Sequence, residues 1–149
     1  MLKPVLTAMV CAALAACSGP ADPRIDAGDG WARATGGGVA AAYVTIHNRG
    51  GADRLTGVRS SLGEASLHET SMEGGIMRMR PIDPEQGIVV PSNGKLVLAP
   101  GGAHVMIGGL EQPLAAGDRF SVTLLFGKAR PKKVEIDVRP ATEAPVAHG

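Results

Sequence analysis

Thiols are the first scarcity in this chain of 149 residues. Its two cysteines, Cys11 and Cys17, both lie near the amino terminus. If Cys11 leaves with a secretory leader and Cys17 is acylated, nothing remains for a disulfide, for thiol redox chemistry or for the cysteine ligand of a blue-copper centre. Aromatic residues are equally few, Trp31, Tyr43, Phe120 and Phe126 being the whole set. Nucleic acid has no basic stripe or stacking platform to read here. An excess of charge of one sign is also missing. Lys3 is the only charged residue before Cys17, so loss of that segment takes the formal net charge from +1 to zero, and partner contacts must be local rather than steered by bulk charge. Enzyme motifs are absent too: no Gly-x-Ser-x-Gly elbow, no phosphate-binding loop before a helix and no His-Glu-x-x-His zinc pair. Four histidines, His47, His68, His104 and His148, are too few for a copper oxidase or a superoxide dismutase.

The only long apolar run is the first 16 residues. One positive charge, a short hydrophobic segment and small residues before Cys17 form a secretory signal too short to span a membrane. Leu14-Ala-Ala-Cys17 is similar to a bacterial lipobox, in which cleavage precedes a cysteine that then carries lipid. Ser18 after that cysteine favours the outer membrane over retention at the inner one. Residues 17–23 have linker composition, and the tail at 140–149 is again rich in Pro and Ala. Between them, residues 24–139 are the size of one domain with enough chain to bury a core.

That domain offers strand-like runs and no convincing amphipathic helix. Candidate strands are 25–33, 40–47, 55–60, 65–72, 77–80, 88–90, 95–98, 104–107, 119–125 and 134–138. Glycine-rich turns separate them at 36–38, 48–51, 92–94, 101–102 and 108–109. The pattern argues for an all-β antiparallel sandwich or small barrel. Alternation puts Ala42, Val44 and Ile46 in the core, with Val122, Leu124 and Phe126 and with Val134, Ile136 and Val138. The four aromatics are assigned to core packing by default.

Against this background one stretch stands out. His68 to Met106 spans 39 residues and holds two of the four histidines and four of the six methionines. Neutral, polarizable thioether sulfur suits a cuprous ion, whereas zinc, iron and the hard cations prefer thiolate, imidazole or carboxylate. A methionine on a strand is usually core filler, so the argument rests on convergence. His104 and Met106 are two apart and project together from a strand, as do Met77 and Met79. With Glu73-Gly74 as a two-residue hairpin loop, His68 lies directly opposite Met79, about 5 Å away between Cβ atoms. A bulge at Gly75 would shift that register.

These residues resemble the signature of the PCuAC-type periplasmic copper chaperones: His, ten residues, Met, about twenty-one residues, then His-x-Met. His68, Met79, His104 and Met106 fit it in order, with ten residues in the first spacer and twenty-four in the second. The three extra residues are placed in Ile82-Asp-Pro-Glu-Gln-Gly87, a loop by composition. The resemblance covers roughly residues 24–139 and implies a cupredoxin-like Greek-key β-sandwich that binds Cu(I) through those four side chains. It implies no enzymatic activity. Its implied role is delivery toward the CuA site in the copper subunit of cytochrome c oxidase, alongside Sco-type thioredoxin-like proteins, from a lipid anchor in the periplasm. Copper storage or detoxification would use the same ligands. The family commonly carries a tryptophan at the place of Trp31, which assigns that residue to structure. Met77 and His148 are auxiliary copper candidates, and His47 is a weaker alternative ligand.

Overall fold

The computed structural model describes residues 21–142, so the leader, Cys17 and His148 lie outside the described residues. Within them the chain is all β: β1 (Ile25–Arg33), β2 (Gly38–Asn48), β3 (Asp53–Ser60), β4 (Glu64–Glu73), β5 (Ile76–Pro81), β6 (Ile88–Val90), β7 (Lys95–Val97), β8 (Ala103–Leu110), β9 (Arg119–Phe126) and β10 (Lys132–Arg139). Each of the ten expected runs is a strand, and most ends move by one to three residues. The Gly108-Gly109 pair is the exception to the turn pattern. It lies inside β8, which runs on through it to Leu110, with Gly109 at φ 72° taking up the irregularity.

The strands join in the order β5-β4-β8-β2-β1-β10-β9-β3-β6, with β7 also on β2. All pairings are antiparallel except β1 with β10. The sheet folds over on itself, bringing β3 into contact with β4, and the result is the cupredoxin-like Greek-key β-sandwich. Its interior is the set the alternation indicated except for Phe126, which ends β9 and is only partly buried against the core. Ala42, Val44, Ile46, Val122, Leu124 and Ile136 are each at most 1% exposed, joined by Leu67, Val105 and Ile107 from the strands that carry the candidate ligands. Truncating one such aliphatic side chain to Ala costs about 2–5 kcal/mol.

β1 reaches both neighbours because it bends. The register with β2 slips between Gly28 and Trp31, where Asp29 sits at φ 51°. Gly30 there is buried so tightly that a Cβ would collide with the Glu135 carbonyl oxygen. Beyond the bend, Trp31, Ala32 and Arg33 pair with Asp137, Val138 and Arg139. Ala32 therefore enters the core, and Trp31 and Arg33 face outward on the side that carries the site.

Candidate metal centre

The hairpin between β4 and β5 turns on Gly74-Gly75, with φ of 60° and 80°. A two-residue hairpin loop of the favoured hand needs positive φ at both central positions, and a glycine meets that requirement without strain where Glu73 would not. The register is consequently two residues away from the one expected: His68 pairs with Pro81, Thr70 with Met79, and Met72 with Met77. A shift of two preserves the face. His68 and Met79 still project to the same side, as diagonal rather than direct neighbours.

On its other edge β4 meets β8, with His68 opposite His104 and Ser66 opposite Met106. The two imidazole centroids are 6.1 Å apart. His68, His104 and Met106 are thus brought together on three adjacent positions of two strands. Met79 stands on the far side of His68, beyond Thr70, and is 51% exposed. Its sulfur joins the other three only by folding inward across Thr70.

The hydrogen bonds of the two imidazoles fix which ring nitrogens are left available. His104 is 3% exposed, and its Nδ1 lies 3.0 Å from the Gly102 carbonyl oxygen, which also accepts from the Thr70 amide. A carbonyl can only accept, so Nδ1 carries the proton and the lone pair of the neutral ring is on Nε2. His68 Nε2 is 3.0 Å from the Ser66 hydroxyl, while its Nδ1 is buried with no hydrogen-bond partner. An orphaned ring nitrogen costs free energy unless something uses it. Burial, and then the neighbouring His104, push the His68 pKa below its ordinary value of 6.5, which keeps the ring neutral. Among the described residues no three His, Cys, Asp or Glu side chains converge, so a cation held here takes methionine sulfur to complete its shell.

Trp31 and Tyr43 were expected in the core; Tyr43 is buried, at 8% exposed, but on this outer face, where the half-buried Trp31 lies too. Tyr43 sits between Ala42 and Val44, so the alternation that buries those two turns its ring the other way. Trp31 stacks on Tyr43 at 4.5 Å, and Tyr43 approaches His104 at 6.4 Å. The guanidinium groups of Arg139 and Arg33 lie 5.0 and 5.9 Å from the Trp31 ring. Four rings in a row across β1, β2, β8 and β4 therefore support the histidines. Burial raises the Tyr43 pKa against the opposing pull of Arg33, leaving a neutral phenol beside the site. His47 pairs with Asp26 and Lys95 near the opposite end of β2 and takes no part.

The cupredoxin-like sandwich places the chain with the PCuAC class of domain, to which the solved structures it is similar to belong. The apo PCuAC domain from PmoF1 matches with TM-score 0.62 at 27% identity, covering 78% of this chain and 93% of that one. The copper-bound PCuAC domain from PmoF2 gives 0.60 at 26%, over 78% and 92%. The Cu(I) form of DR1885 from Deinococcus radiodurans gives 0.57 at 28%, over 78% and 80%.

Residues 25–138 match the family described as LpqE-like, "Putative lipoprotein LpqE-like", and the chain belongs to that family. A relative from Leifsonia xyli subsp. xyli, "Putative lipoprotein Lxx21020", is 37% identical over 111 residues. The match covers 73% of this chain and 66% of that relative's length.

Proposed function

We propose that this protein is a periplasmic metallochaperone that binds one Cu(I) through His68, Met79, His104 and Met106 and passes it to an acceptor protein. The observation that carries the reading is the pair of imidazoles on paired strands, one with an orphaned ring nitrogen, beside thioether sulfur and without a thiolate. Cuprous copper accepts exactly the soft, neutral set that harder cations decline. The resemblance to domains solved with copper supports the choice of metal. Copper is cargo here, and it enters and leaves unchanged.

Position on the outer face favours transfer. His68 and Met79 stand at the solvent side of the site, so an incoming thiolate or imidazole can replace donors one at a time without opening the core. The client we propose is the CuA site in the copper subunit of cytochrome c oxidase, with a Sco-type thioredoxin-like protein as a second partner. The lipobox-like segment ending at Cys17 and the lipoprotein relatives support a lipid anchor, with the outer membrane favoured.

X-ray absorption on the Cu(I)-loaded protein tests the site, with two nitrogen and two sulfur neighbours expected. A shell of oxygen and nitrogen alone would sink the cuprous reading. His104→Ala and Met106→Ala should each lower Cu(I) affinity at least tenfold with the fold intact, and Met79→Ala should cost less because its sulfur must move to bind. Deletion of the gene should leave the oxidase short of copper. Full copper occupancy in the deletion strain would remove the proposed client.

A further inference from the structure

Every methionine after Cys17 faces the same side of the molecule. Met106 belongs to the site just described and Met79 flanks it, which leaves Met72 without a role and Met77 only an auxiliary candidate. These two are directly opposite each other near the tip of the β4–β5 hairpin, each 66% exposed. Opposed positions put Cβ atoms about 5 Å apart. The three rotors of each unbranched side chain allow both sulfurs to meet on one ion. Met79 continues the series, two residues along β5 from Met77 and diagonal to Met72.

The other face of the same hairpin is built differently. Glu73 lies there with Arg78 at 3.4 Å and Arg80 at 2.9 Å, the charged treatment that keeps an edge strand from pairing with another chain. From His68 to the tip the methionine face carries no carboxylate and no cation; beyond His68 its donors are thioethers and the Thr70 hydroxyl. Core packing does not account for it either, since all six residues of β5 are exposed.

We infer that Met72 and Met77 form a second, thioether-only site for a soft monovalent cation, Cu(I) or Ag(I), with Met79 the sulfur between it and the inner centre. An ion captured at the hairpin tip then moves inward by ligand exchange, one sulfur bond forming as another breaks, with its oxidation state unchanged. The identity of the cargo and the inner ligand set rest on the proposed function; the outer site is read separately.

The test is a titration of the full chain in detergent with Ag(I), following methionine methyl signals by NMR and stoichiometry by calorimetry. Two equivalents are expected. The second should bind at least a hundredfold more weakly than the first and shift the Met72 and Met77 methyls. It should also bind equally at pH 5 and pH 8, since thioethers do not titrate. Met72→Leu with Met77→Leu, which conserves volume on an exposed surface, should abolish the second equivalent and keep the first. His104→Ala should do the reverse. A single equivalent with the Met72 and Met77 methyls unmoved, as a patch that only docks another protein would give, overturns the inference. Two equivalents surviving in the double leucine variant overturn it equally. A first equivalent indifferent to His104→Ala refutes the inner site instead, and the Met72 and Met77 signals still judge the outer one.

Discussion

Acid should strip copper from this protein before it unfolds the domain, and the expected size of the effect follows from the two imidazoles. A histidine must be neutral to coordinate, so each ring protonated in the metal-free protein adds one proton to the exchange. One proton costs tenfold in affinity per pH unit, about 1.4 kcal/mol, and two cost a hundredfold. His68 is held below 6.5 by burial and by His104, so the two-proton limit is delayed until the pH falls under that lowered value. As the pH falls through the lowered His68 pKa, the Cu(I) affinity should begin to drop by up to about tenfold per pH unit for each ring that takes up a proton, with the slope steepening toward the acid end. The same shift bears on folding. A depressed histidine pKa means the unfolded chain takes up its proton first, so stability is full above 6.5 and falls as the pH drops from 6.5 toward the folded value. The assay is competition from pH 5 to pH 8 against a Cu(I) chelator whose own protonation is known, with circular dichroism confirming the fold at each point. Replacing His68 and His104 together with Met should flatten the profile. A flat profile in the unmodified protein would refute histidine ligation and leave the methionines to hold the ion alone.

Two further outcomes are expected. Asn48 is 2% exposed, accepts from the Arg24 and Gly50 amides and donates to the Gly51 and Pro91 carbonyls. Asn48→Ala leaves all four unpaired, so denaturant unfolding should show a loss of about 2–4 kcal/mol with Cu(I) affinity unchanged; a loss under 0.5 kcal/mol would mean that water replaces the side chain. Cys17→Ser should move the protein from the membrane fraction to the soluble one, and persistence in the membrane would show that the anchor is not a lipid on that residue.

The strands were legible because each is a short apolar run between glycine or proline turns, and Ile25–Arg33 and Ile88–Val90 were read to the residue. The hairpin register was not, because Glu73-Gly74-Gly75 contains two candidate loop pairs and only the backbone angles choose between them. The error moved Met79 from a direct to a diagonal neighbour of His68 without changing its face. The longer second spacer did no harm either: Ile82–Gly87 forms a loop closed by hydrogen bonds to Asp83, outside the strands that carry the donors. Trp31 was misplaced, and Tyr43, though buried, was put on the wrong face, for a different reason. Scarce aromatics invite assignment to the core, yet each adjoins an alanine that is 0% exposed, Ala32 and Ala42, and alternation alone would have turned both rings outward. The histidine partners Ser66 and Gly102 each lie two residues before the ring they contact, a same-face spacing that the sequence shows but that only the folded side-chain geometry turns into hydrogen bonds.

Placing donors on the outer face separates two demands that a buried metal site would merge. Leu67, Val105 and Ile107 fix β4 and β8 from beneath, and the row of rings from Trp31 to His68 fixes the imidazoles from the side. The histidine geometry therefore exists before any ion arrives, which lowers the ordering cost of binding. Met79 is the opposite case, exposed on an edge strand with no core contact of its own. On the proposed ligand set, prepositioned imidazoles together with a Met79 that must be drawn in would hold an ion less tightly than four fixed donors. On that same set, the loose sulfur would give an acceptor its first vacancy, so release would begin at β5 without movement of the sandwich.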